Sequence, residues 1–174
     1  MKRLLLLRHA KSERATSEDL KRGLETRGEK DSARMGRYLR EDAYLPDLVL
    51  CSASTRTRET LKLVLSELGK APPVQYLAEL YLAEPDVILS LVHHAPEKCS
   101  TLMVVGHNPG LERCAMALAA PPEEKRRRKR YDAMAEKFPT GALAVLDFAV
   151  DRWSDVVSRG GELDAFVRPK DLED

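Results

Sequence analysis

The run Leu4-Leu5-Leu6-Leu7 followed at once by Arg8-His9 sets the reading of this chain. Four consecutive apolar residues show neither the alternation of a half-buried strand nor the periodicity of an amphipathic helix. Leucine alone permits helix, but the polar cluster from Arg8 to Glu13 leaves no room for one, so the run reads as a short strand buried on both faces. Two more runs of the same kind follow, Leu48 to Cys51 and Leu102 to Val105. A longer apolar strand is expected over residues 142–148, and short ones at 74–77 and 166–167.

Helical patterns separate these runs. Thr26 and Glu29 have the spacing of a capping box, which predicts a helix to about Arg40 with Met35 and Leu39 on one face. Leu61, Val64, Leu65 and Leu68 recur at i, i+3, i+4 and i+7, and Gly69 suits the end of that helix. Pro85 fits a first helical position, with Ile88, Leu91 and Val92 turned inward. Asn108-Pro109 reads as a side-chain cap and first-turn proline ahead of the stripe Leu111, Cys114, Ala115 and Leu118, which Pro121-Pro122 ends. Residues 10–25 read as a loop with one helical turn. Short buried strands alternating with amphipathic helices predict an α/β protein, a three-layer α/β/α sandwich around a mostly parallel sheet. No linker divides the 174 residues, so one domain over 1–174 is expected.

Composition narrows the class. The chain is 43% apolar and 33% charged, with 29 Lys and Arg against 28 Asp and Glu. This is a globular composition, and a net charge of +1 is not that of a nucleic-acid binder. The three cysteines are odd in number and lack C-x-x-C spacing, which argues against a disulfide framework or a zinc site. Cys51 and Cys114 read as small core residues. The leucine run is shorter than the roughly 7–15 residues of a signal-peptide core. No run reaches the ~20 residues of a membrane helix, so a cytoplasmic protein is expected.

In parallel sheets, ligands bind beyond the carboxyl ends of the strands. The first run ends in Arg8-His9. The second leads through Ser52 into Ser54-Thr55-Arg56, and the third ends in Gly106-His107-Asn108-Pro109. Parallel strands would bring two histidines, two arginines and a helix start to one rim. The chemistry this predicts is phosphoryl transfer. Three equatorial oxygens need fixed cationic donors, which arginine forks and helix N–H groups supply, and a neutral imidazole is a competent nucleophile. No carboxylate cluster with metal-binding spacing accompanies these residues, so a reaction without metal or other cofactor is expected. Taken singly, each residue has an ordinary structural reading; their conjunction carries the inference.

Those motifs resemble the histidine phosphatase superfamily, also called phosphoglycerate mutase-like. Residues 6–12, Leu-Leu-Arg-His-Ala-Lys-Ser, are similar to its N-terminal Arg-His-Gly signature, with Ala10 in place of the glycine. Residues 52–60, Ser-Ala-Ser-Thr-Arg-Thr-Arg-Glu-Thr, resemble the segment supplying the second arginine, which by register is Arg56. Residues 106–110, Gly-His-Asn-Pro-Gly, resemble the segment supplying the second histidine. Arg-His-Ala-Lys-Ser, Gly-His-Asn-Pro-Gly, Arg27-Gly28 and Pro139-Thr140-Gly141-Ala142 together resemble the SixA-type phosphohistidine phosphatases. The resemblance implies a phosphoglycerate mutase-like fold. It implies His9 as the transiently phosphorylated nucleophile, with Arg8, Arg56 and His107 binding the phosphoryl oxygens. Arg22 and Ser12 are substrate-binding candidates, or else ordinary polar loop residues.

Many sugar-phosphate members of the superfamily supply a glutamate that protonates the leaving alkoxide. Glu79 and Glu84 lie in the corresponding stretch without a convincing motif. An alkoxide needs an acid, whereas the labile P–N bond of phosphohistidine needs less help. The expected substrate is therefore a phosphohistidine protein, with a small phosphoester using Glu79 or Glu84, or phosphohistidine binding without turnover, as the alternatives. The six basic residues Lys125 to Arg130 are flanked by Glu123, Glu124, Asp132 and Glu136. They read as a solvated helix with i,i+4 pairs, docking of an acidic partner being the alternative. His93-His94 is a poor metal pair and is expected at the surface. No nucleic-acid or membrane partner is expected, and a monomer suffices for a small pocketed domain.

Overall fold

A computed structural model describes residues 1–14 and 18–173. Among them, six strands form one sheet: β1 (Lys2–Arg8), β2 (Leu48–Ser52), β3 (Val74–Leu77), β4 (Thr101–Gly106), β5 (Leu143–Phe148) and β6 (Gly161–Val167). Their order is β3-β2-β4-β1-β5-β6. β1, β2, β3 and β4 run parallel, β5 pairs antiparallel with β1, and β6 antiparallel with β5.

The uninterrupted apolar runs serve two cores at once. Because successive side chains point to opposite faces, Leu4 and Leu6 pack on one side of the sheet and Leu5 and Leu7 on the other. Leu50 and Val104 join the first face, Val49, Cys51 and Val105 the second. The second face is covered by α1 (Thr26–Glu41) and α2 (Thr55–Leu68), through Met35, Leu39, Leu61 and Val64. The first is covered by α3 (Pro85–His93), α4 (Gly110–Leu118) and α5 (Lys125–Glu136), through Ile88, Leu111, Cys114 and Met134. This is the expected three-layer sandwich. Each of the four β1 leucines is fully buried, worth roughly 2 kcal/mol apiece.

Local departures from the sequence reading have tertiary causes. α1 begins at Thr26 with Glu25 at its N-cap and makes no side-chain capping bond. Instead the Glu25 N–H donates to the Lys11 carbonyl at 3.0 Å. Gly28 lets the helix press on that same backbone, since a Cβ there would lie 2.1 Å from the Lys11 oxygen. α4 begins at Gly110, one residue later than expected, after a cis Asn108-Pro109 bond. Pro109 is thus the N-cap residue in place of Asn108, whose Oδ1 accepts from the Glu112 N–H at 3.2 Å from one position further back. β6 extends to seven residues, beyond the expected two.

The charged helix α5 takes the solvated form, with Arg128 bonded to Asp132 and Arg127 to Glu124 and Glu162. His93 is half-buried, its Nε2 donating to the Val156 carbonyl at 2.7 Å, whereas His94 is exposed. All three cysteines are buried and unpaired. Among the described residues no helix is long and apolar enough to cross a membrane.

Candidate active site

β1, β2 and β4 end at the same rim, with Arg8, Ser52 and Gly106 as their last residues. Residues just past those ends converge on a cleft of about 610 Å³. Arg8, His9, Arg56 and His107 line it, as do Ser12 and Arg22. His9, Arg56 and His107 are buried, at 6%, 2% and 3% exposure, although they are polar. The His9 and His107 rings lie 5.4 Å apart.

Backbone bonds hold His9 from several sides. Its N–H donates to the Gly106 carbonyl at 3.2 Å, and its own carbonyl accepts from the Gly141 N–H at 2.9 Å. The next residue, Ala10, donates its N–H to Thr60 Oγ1 at 3.0 Å, and that hydroxyl donates to the Arg56 carbonyl at 2.7 Å. Thr60 thereby ties the first turn of α2, which carries Arg56, to the backbone beside His9.

The imidazole itself is oriented. His9 Nδ1 lies 2.8 Å from the Ala10 carbonyl, which can only accept. The proton therefore sits on Nδ1 and the lone pair on Nε2. Burial, and then the charges of Arg8, Arg56 and Arg22, lower the His9 pKa to about 4. The ring is neutral at pH 7.

His107 Nε2 lies 2.7 Å from Ser52 Oγ, which itself accepts from the Ser54 N–H at 3.4 Å. This bond fixes the orientation of the ring and occupies Nε2, which leaves Nδ1 as the ring nitrogen without a protein partner. Burial first, then His9 and Arg56, push the His107 pKa down to about 3. Three buried nitrogens here have no hydrogen-bond partner among the described residues: Arg8 Nε, Arg56 Nε and His107 Nδ1. Buried polar groups are ordinarily paired, so three unpaired nitrogens on residues of one cleft are a departure from the norm.

Two residues that the sequence reading did not single out organise the outer wall. Asp19, on a 3-10 turn (Asp19–Lys21), accepts from Arg56 Nη2 at 3.1 Å through Oδ2 and from Arg22 Nη2 at 3.0 Å through Oδ1. Tyr81 donates its hydroxyl to the same Asp19 carboxylate and sets its ring edge-on to His107. The Tyr81 bond, followed by Arg56 and Arg22, holds Asp19 down at about 2, so it is ionised. Arg22 also donates to Ser12 Oγ at 2.9 Å, which places both candidates on the cleft wall. The Asp19–Arg22 spacing of three on a helical turn was the only local signal for Asp19; Tyr81 had none.

Glu79 and Glu84 are exposed and do not line the cleft. Its carboxylates are Glu13, Asp19 and Glu25. No group of three or more His, Cys, Asp or Glu among the described residues is placed to hold a metal ion.

Residues 4–82 match the family described as Histidine phosphatase superfamily (branch 1). An uncharacterized protein of Mycobacterium leprae is 32% identical over 169 residues, 94% of this chain and 100% of that protein. A solved structure of a candidate phosphohistidine phosphatase SixA from Nakamurella multipartitia has a TM-score of 0.82 at 30% identity, covering 97% of this chain and 96% of that one. Its counterpart from Agrobacterium tumefaciens has a TM-score of 0.79 at 29% identity, over 97% and 98%. The chain belongs to the histidine phosphatase superfamily, with its phosphoglycerate mutase-like fold, and its membership supports a phosphatase activity.

Proposed function

We propose that this protein is a phosphohistidine phosphatase that moves a phosphoryl group from a protein histidine to His9 and then to water, without a metal. The observation that carries the reading is the His9 imidazole, neutral with its proton locked on Nδ1, beside the unpaired nitrogens Arg8 Nε, Arg56 Nε and His107 Nδ1. The His9 Nε2 lone pair attacks phosphorus as the P–N bond of the substrate breaks, and the departing imidazole takes its proton from solvent water. Water then attacks the phosphorus on His9, the second P–N bond breaks, and inorganic phosphate leaves. In both steps charge on the equatorial oxygens meets donors already in place, which is where catalytic stabilisation of phosphoryl transfer resides.

The choice of leaving group follows from the carboxylates. Asp19, the carboxylate bonded to Arg56, is ionised and has no proton to give, and the two acids the sequence offered, Glu79 and Glu84, lie outside the cleft lining, which leaves Glu13 and Glu25 as its other carboxylates. An alkoxide would need a donor acid, whereas an imidazole leaves with far less assistance. The similarity to structures described as SixA supports the same reading.

The test is to mix the enzyme with a phosphohistidine protein, quench in alkali and locate acid-labile phosphate by mass spectrometry. Phosphate is expected on His9, and His9→Ala is expected to show neither phosphoenzyme nor turnover. Full activity in His9→Ala refutes the mechanism. Turnover confined to small phosphomonoesters refutes the substrate.

A further inference from the structure

A second cleft, of about 270 Å³, adjoins the first and shares Lys11 and Thr140 with it. Lys11, Arg27, Lys137, Arg168 and Lys170 line it, with Asp31 as the one carboxylate. Five cations against one anion is a steep local excess in a chain whose net charge is +1. On α5, by contrast, Arg127 borders a cavity in which Glu123, Glu124 and Glu162 balance it.

The cations divide by their pairing. Arg168 is bound at two points by Asp171, at 3.0 Å each, and Arg27 faces Asp31 at 3.8 Å. Lys11, Lys137 and Lys170 have no carboxylate within salt-bridge distance among the described residues. Three unpaired ammonium groups around one concavity repel one another unless an anion joins them.

The cleft is also fixed relative to His9. Thr140 lines both cavities, and the N–H of the next residue, Gly141, is bonded to the His9 carbonyl. Gly141 takes a φ of +77° and packs on Pro169, a turn in which a side chain would be strained and would strike the proline ring.

Resting on the phosphohistidine reading above, we propose that this cleft is a specificity subsite for acidic side chains flanking the phosphohistidine of a polypeptide substrate. Carboxylates fit better than a second phosphate. Lysine is a hydrated point charge on a flexible stem and accepts carboxylates presented at varied angles. The two guanidinium forks that would clamp a phosphate already face Asp31 and Asp171. The gain is of the size expected of exposed pairs, acting on capture of the substrate and weakened by salt.

The experiment compares two phosphohistidine peptides, one with Asp and Glu on both sides of the phosphohistidine and one with Asn and Gln. Phosphoramidate serves as a substrate with no flanks. The enzymes are wild type and the double charge reversal Lys137→Glu, Lys170→Glu, neither residue lining the His9 cleft. Wild type is expected to favour the acidic peptide by about tenfold in kcat/KM, through KM, with the preference shrinking as salt is added. The double variant is expected to lose or invert that preference while turning over phosphoramidate at the wild-type rate. Equal preference in both enzymes overturns the subsite, as does a stronger preference for a small substrate bearing a second phosphate. Binding of the unphosphorylated acidic peptide, read by fluorescence anisotropy, tests the cleft without turnover. If that binding is charge-dependent but no form hydrolyses a phosphohistidine substrate, the subsite stands and the phosphatase assignment fails; if hydrolysis proceeds without it, the reverse holds.

Discussion

Acidification from pH 7 to about pH 4.5 should destabilise this protein through His9, and the size of the effect follows from its burial. The unfolded chain protonates His9 near its ordinary value of 6.5, whereas the folded protein resists until about 4. Between those values the unfolded state binds more protons, so stability falls as pH falls. His9's contribution is complete above 6.5 and is lost as pH drops through 4. At 1.36 kcal/mol per pH unit the full loss is about 3 kcal/mol, of which about 2.5 kcal/mol is gone near pH 4.5. His107, held at about 3, acts in the same direction. Carboxylates also titrate there, so the measurement is a difference. Denaturant unfolding at both pH values for wild type and His9→Gln isolates the His9 part, and the variant should lose about 2.5 kcal/mol less on acidification. An identical pH dependence in the two proteins would refute the claim that His9 is buried neutral. The same burial sets the acid limb of phosphoenzyme formation, which is expected to fall near pH 4 instead of 6.5.

Arg56→Lys removes a planar fork while keeping a charge. A loss of about 10²- to 10³-fold in kcat is expected in steady-state assays, and an unchanged kcat would remove Arg56 from the phosphoryl site. Asp19→Asn keeps the shape of the outer wall but removes the carboxylate charge that occupies Arg56 and Arg22. Inorganic phosphate should then inhibit about fivefold more tightly, and unchanged or weaker inhibition would show that Asp19 does not compete for those arginines. Gly28→Ala places a Cβ 2.1 Å from the Lys11 carbonyl oxygen. Thermal and urea unfolding should report a loss of about 3 kcal/mol, and wild-type stability would contradict the seating of α1 on that backbone.

Much of the sheet could be read along the chain, because a strand buried on both faces writes an uninterrupted apolar run. The runs at 4–7, 48–51 and 102–105 are β1, β2 and β4, and their alternating residues feed two cores. The edge strand β6 was legible only at Phe166-Val167. Its first half carries the exposed Glu162 and half-buried Asp164, as an edge with one neighbour allows. The capping pattern at Thr26 misled for a related reason. It records a local preference, and contact with the Lys11 backbone overrode it.

The sequence by itself determined which chemistry-bearing groups stand after the strands: Arg8-His9, Arg56 and His107, each next to an apolar run or a helix start. It also determined the alternation that makes the sheet mostly parallel and brings those groups to one rim. Only the tertiary structure decided which atom of each group is available. The proton on His9 Nδ1 follows from the Ala10 carbonyl, and the orientation of the His107 ring from Ser52, 55 residues away in sequence. The Asp19–Tyr81 wall and the basic cleft shared through Lys11 and Thr140 join segments far apart in the chain. The physical reason is range. Burial and periodicity are properties of neighbours along a chain, while tautomer, pKa and charge pairing depend on whatever the fold sets a few ångströms away.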